Sequence, residues 1–151
     1  MKRATWTSLV LVTLAVAVGM VRDFLFVNLN YELHFREHRK ALNYAHSQFK
    51  ALVHGWSTAD LHTIKWGLAI LFVLFNLALA IALARVRFGN HHYRLAIILG
   101  FLIICGLALT AHVLAPYLAG FDTLSTKLLH AVQYPVLLLV LWAASWLPRT
   151  Q

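Results

Sequence analysis

Charge is scarce in this chain, negative charge above all, and cysteine is nearly absent. Of 151 residues only 12% are charged, and five are acidic. A soluble domain carries about a quarter charged residues, so a water-facing surface over most of the chain is excluded. A single cysteine, Cys105, excludes an intrachain disulfide, and with it the thiol-oxidising chemistry of membrane enzymes that work through cysteine pairs. The seven glycines make no phosphate-binding loop, and no nucleophile elbow is present. The three prolines, Pro116, Pro135 and Pro148, all fall in the last third of the chain.

Apolar side chains fill the space, at 61% of the residues. They gather in four runs, at about 5–27, 63–86, 93–117 and 124–147. Each is long enough to cross about 30 Å of hydrocarbon at about 1.5 Å per residue. In lipid the backbone must satisfy its own hydrogen bonds, so the runs are expected to be helices. Short connections make the last three antiparallel neighbours. The fold expected is an all-α integral membrane protein: one domain over residues 1–151, built as a four-helix transmembrane bundle. Met1-Lys2-Arg3 and the small residues Ala15-Val16-Ala17 look like parts of a cleaved leader. Apolar character resumes at Phe24–Val27, however, so a retained first span is expected. Pro135 should kink the fourth span, Pro116 end the third, and Pro148 close the fourth.

The one long polar stretch is 28–62. Tyr31, Phe35, His38, Leu42, Ala45, Phe49, Leu52 and Trp56 recur at steps of four and three, the spacing of one helix face. Glu32, Arg36, Arg39, Lys40, Asn43 and Lys50 fall opposite. The pattern predicts an interfacial amphipathic helix between spans one and two. It should stop near Gly55, with Ser57, Thr58 and Asp60 capping the next helix.

The net charge of +8 is mostly membrane-flanking arginine, so it does not point to nucleic acid. Arg85, Arg87 and Arg94 surround the Gly89-Asn90 turn, with Lys2, Arg3 and Arg149 expected at the same end. The positive-inside tendency places that end, and both termini, in the cytoplasm. The membrane expected is a bacterial plasma (inner) membrane. Trp6, Trp142 and Trp146 should anchor one interface, and Trp56 and Trp66 the other.

Nine histidines suggest chemistry. His34-Phe35-Arg36-Glu37-His38 has the HxxEH spacing of the inverzincin metalloproteases, a resemblance limited to five residues. Two imidazoles four apart on a helix can hold a metal, although no third ligand is evident. His112 and His130 fall at comparable depth on consecutive helices, with Gln133 and Tyr134 within a turn of His130. Ionisable groups inside spans are costly, and default to a functional hypothesis. Facing imidazoles can ligate haem iron or a metal ion, or bond a quinone or lipid headgroup. The plain alternative is neutral histidines satisfied by Asn76, Tyr134 or backbone carbonyls. Asn76, in mid-span, should bond a neighbouring helix. Arg22 and Asp23 read first as markers of the membrane boundary, and second as a charge pair facing the bundle. Small multidrug exporters resemble the chain in length and span count. Their membrane glutamate in the first helix is missing here, and Asp23 lies too near the helix end to replace it.

Two function classes follow. The first is a non-catalytic accessory or scaffold subunit whose 28–62 segment docks a protein partner or lipid, or a second copy of the chain. The second is a ligand- or cofactor-binding membrane protein centred on His112 and His130. A small oligomeric channel or transporter, with a polar stripe from Asn76 to His112, is a third. No catalytic residue stands out.

Overall fold

The computed structural model describes residues 2–38, 42–89 and 92–146, and among these the regular structure is entirely helical. Six helices follow in order: α1 (Lys2–His38), α2 (Ser47–Leu52), α3 (Thr58–Phe88), α4 (His92–Leu114), α5 (Phe121–Gln133) and α6 (Val136–Ala144). Three of them, α1, α3 and α4, are long and apolar enough to cross a membrane. The α5–α6 pair meets the same test only together, with a bend of 56° between its halves. Arg39, Lys40, Asn90, Pro148 and Arg149 lie outside the described residues.

Central in the bundle is α3, which packs against α1, α4, α5 and α6. Ala15, Leu79, Leu83 and Leu138 close one end of the core. At that end Arg87 Nε donates to Ser145 Oγ at 2.8 Å, and its guanidinium lies 4.9 Å from the Trp146 ring centre. The C-termini of α3 and α6 therefore share this basic end. Gly89 stops α3 in the left-handed conformation at φ 66°, its N–H bonded to the Arg85 carbonyl. A Cβ at Gly100 or Gly106 of α4 would meet nothing within 4 Å, so neither glycine is required for close packing. Ala108 and Ala111 are the small residues of α4 that are buried.

The polar stretch 28–62 is not one interfacial helix. No breaker interrupts 28–38, so these residues simply prolong α1, which has 37 residues and a length of about 55 Å. The chain then returns as a strap over 42–56. Asn28 Oδ1 accepts from the His46 N–H at 2.6 Å, and Asn43 Nδ2 donates to Glu32 Oε2 at 2.6 Å. These side chains give the backbone partners other than a helix ladder, which is why the helical stripe is not realised. Ala45, Phe49 and Val53 turn inward onto Leu29, Leu33 and Leu61. Leu42 and Leu52, from the same stripe, stay exposed. Arg36 salt-bridges Glu32 at 2.6 Å and donates to the Val53 and Trp56 carbonyls, closing the C-terminal turn of the strap.

Local stop signals act as expected from their chemistry. Gly55 takes φ 82° after α2, and Ser57 and Asp60 form a reciprocal capping box on α3. Helix α4 ends two residues before Pro116. Pro135 lacks an N–H and disfavours helical backbone before it. Tyr134 accordingly adopts φ −93°, ψ 158°, and α5 breaks from α6 there.

Candidate functional site

The break at Tyr134-Pro135 faces α1. Gly19 makes this approach close: a Cβ there would sit 3.4 Å from Pro135 Cδ. One turn further along α1, Arg22 enters the same space. It is buried, so it does more than mark a boundary. Its Nη2 donates to Gln133 Oε1 at 2.6 Å, and Nη1 to the Tyr134 hydroxyl at 2.9 Å and to Asp23 Oδ1 at 3.1 Å. The Tyr134 hydroxyl in turn donates to Asp23 Oδ1. The guanidinium lies 4.5 Å from the ring centres of both Phe26 and Tyr134. A planar, weakly hydrated cation suits such a sandwich, which an ammonium would not fill.

Asn76 supports the break from the other side. Its Nδ2 donates to the Gln133 carbonyl at 2.6 Å and to Phe72 O at 3.1 Å. The sequence expectation that this amide bonds a neighbouring helix holds, and the neighbour is α5. Two buried polar atoms stay without a hydrogen-bond partner among the described residues: Arg22 Nε and Asn76 Oδ1.

Beside Arg22 lies a cavity of about 320 Å³ between α1, α3, α4 and α5. His112 and His130 both line it, as do Gln133, Lys65 and Asp122. The two histidines thus share one cavity, although each packs against an aromatic ring of its own. His112 meets Trp66 edge-on at 5.8 Å, and His130 meets Tyr134 edge-on at 5.6 Å. Lys65 and Asp122 face the same space, and no ion pair joins them among the described residues. A second, wholly apolar cavity of about 210 Å³ adjoins it. Trp66, Ala69, His112 and Leu129 line both.

Lys65, Asp122, Asn30, Ser125 and Thr126 are polar lining residues that the sequence reading leaves aside. Lys65 and Asp122 each fall within the first turns of a helix, at the same end of the bundle. That shared level is the signal in the sequence that points to them.

The other candidate positions lie elsewhere. His34 and His38 sit at the exposed end of α1 with ring centres 4.3 Å apart. Among the described residues no three His, Cys, Asp or Glu side chains converge as a metal site. Glu37 of the HxxEH segment is engaged by His62 Nε2 at 2.7 Å. Of the tryptophans, Trp6 and Trp146 are well exposed at the basic end and Trp56 is exposed at the strap. Trp142 packs partly into the core and edge-on to Trp146. Trp66, expected as an interface anchor, is half exposed and also forms part of the cavity wall.

No family model matches the sequence, and neither a curated protein nor a solved structure matches it, so the cavity's own geometry carries the functional reading.

Proposed function

We propose that the chain is a four-span integral membrane protein that binds a ligand in the cavity beside Arg22, with α5 and α6 together as its bent fourth span. One observation carries this reading. A buried guanidinium, its Nε unpartnered among the described residues, lines a cavity that Lys65 and Asp122 also line without an ion pair to either among the described residues. Taking an ion out of water costs several kcal/mol, so a purely structural cation is expected to be closely packed and fully bonded. A titratable cluster within the spans is the usual mark of a ligand path or site.

The basic end, with Arg85, Arg87 and Arg94, is the cytoplasmic end in this proposal, and the membrane is a bacterial plasma membrane. The strap then covers the opposite end, and the cavity opens below it. A second reading, an accessory subunit, draws on the strap itself. Leu42, Tyr44 and Leu52 are exposed at 66–73% and offer an apolar patch to a protein partner or a second copy.

The test is purification in mild detergent, followed by solvent extraction, a visible spectrum and metal analysis of one sample. The expected result is a bound small molecule that is depleted in the His112→Ala/His130→Ala double variant. An empty wild-type protein, indistinguishable from the double variant, would contradict the proposal. A Soret band lost in the same variant would make haem the occupant.

A further inference from the structure

The two adjoining cavities, one with polar lining and one apolar, share Trp66, Ala69, His112 and Leu129. The polar part lies at the ends of helices: Lys65 is in the second turn of α3, and Asp122 is the second residue of α5. The apolar part runs away from it along α3. Trp66, Ile70 and Leu74 line it at i, i+4 and i+8, one face of the helix. Leu74 lies nine residues beyond Lys65, about 13 Å further along the axis. On α4 the trench is walled by His112, Leu109 and Cys105, in the same direction. Its lining is wholly apolar in exposed area, and its outer edges, Ile70, Leu74 and Leu109, are 57–62% exposed on the side of the bundle. A trench of this form follows the direction of an acyl chain and is open to lateral entry.

The head is selected by charge. Arg22 is already balanced by Asp23 at 3.1 Å, and its unpartnered Nε is itself buried. Lys65 and Asp122 remain, one cation and one anion on the same cavity, without a bridge to each other. A simple anion would satisfy Lys65 and face repulsion from Asp122. A neutral quinone ring would leave both charges unanswered. A ligand with a phosphate and a primary ammonium answers both, because the ammonium donates hydrogen bonds to a carboxylate.

Resting on the ligand-binding reading above, we infer that the occupant is a zwitterionic glycerophospholipid of the phosphoethanolamine type. Its phosphate lies toward Lys65, its ammonium toward Asp122, and one acyl chain lies in the Trp66–Ile70–Leu74 trench.

Native mass spectrometry of the full, delipidated chain tests this. The lipids added are palmitoyl-oleoyl phosphatidylethanolamine, the matching phosphatidylglycerol, and decylubiquinone. Phosphatidylethanolamine is expected to bind most tightly. Lys65→Gln and Asp122→Asn should each weaken it by about tenfold, the value of one charge-assisted hydrogen bond. Both positions lie at the cavity rim, so the fold is expected to survive. Leu109→Trp, an exposed substitution that fills the trench, should weaken it as well. Equal binding of phosphatidylglycerol, with Asp122→Asn silent, would overturn the zwitterionic assignment while leaving a lipid site. Preference for decylubiquinone would overturn the phospholipid but keep the cavity as a ligand site. A silent Leu109→Trp would overturn the placement of the chain. Failure of all three molecules to bind would overturn both this inference and the proposal on which it rests.

Discussion

Arg22 Nη2 and Gln133 Oε1 lie 2.6 Å apart, joining the first helix to the last residue before the break in the fourth apolar segment. Both groups are buried, and the bond spans 111 residues of sequence. It ties the position of a charge to the break that Pro135 imposes. Both residues also line the cavity beside it.

Gln133→Leu should therefore be costly. It removes the buried acceptor and leaves Nη2 with no bond in the structure, a loss of about 1–3 kcal/mol. Tyr134→Phe keeps the ring over the guanidinium and removes the hydroxyl bonds to Arg22 and Asp23. Asp23 is half exposed, so water replaces part of what is lost, and a cost of about 1 kcal/mol is expected. Thermal unfolding in detergent should rank Gln133→Leu as the more destabilised. Equal melting temperatures would show that the bond to Gln133 contributes little.

Gly19 is expected to tolerate alanine but not leucine. A Cβ 3.4 Å from Pro135 Cδ is ordinary contact, whereas a larger side chain must displace the proline ring. Overpacking of this kind costs about 1–3 kcal/mol. Because the ring anchors the break, Gly19→Leu should also reduce ligand retention, read by mass spectrometry after extraction. Retention unchanged in a destabilised Gly19→Leu protein would separate the break from the cavity.

The strap over 42–56 is expected to open on loss of its side-chain anchors. Asn28→Ala removes the acceptor for the His46 N–H, and Arg36→Ala frees the Trp56 carbonyl and leaves the Val53 carbonyl with the Trp56 N–H alone. Each should cost about 1–2 kcal/mol and speed proteolytic cutting within 42–56 while α1 and α3 stay intact. Cutting as slow as in the wild type would mean the apolar contacts of Phe49 and Val53 hold the strap alone.

Ser57→Ala breaks the capping box at the start of α3 and should cost about 1 kcal/mol. Ser57→Thr keeps a hydroxyl that accepts from the Asp60 N–H and donates to the Asp60 carboxylate, and should recover most of it, as followed by thermal melting. If threonine fails to rescue, the hydroxyl acts through something other than the cap.

Local chemistry was the legible part of this chain. Pro135, Gly55 and the Ser57–Asp60 pair act within one helical turn, and their spacing alone predicts what they do. The apolar runs likewise announce three long helices and a broken fourth. The strap was not legible, because its bonds connect Asn28 with His46 and Glu32 with Asn43. The periodicity of Tyr31 to Trp56 fits one helix well, and only those long-range partners choose the other fold. Arg22 shows the same limit. Next to Asp23 in sequence it looks like a boundary marker, and its burial depends on Gln133 and Tyr134, which lie more than a hundred residues away. His112, His130, Gln133 and Tyr134 were legible as candidates from their depth. Lys65 and Asp122 were overlooked because a lone charge near a helix end is normally solvated.

The cavity beside Arg22 is expected to hold a ligand in the native membrane. The most direct measurement is a high-resolution structure of the full chain in native-lipid nanodiscs. Density is expected, bounded by Arg22, Lys65, His112, Asp122 and His130 and continuing into the trench along Trp66, Ile70 and Leu74. A cavity closed by its own side chains, or filled only by water, would contradict this expectation.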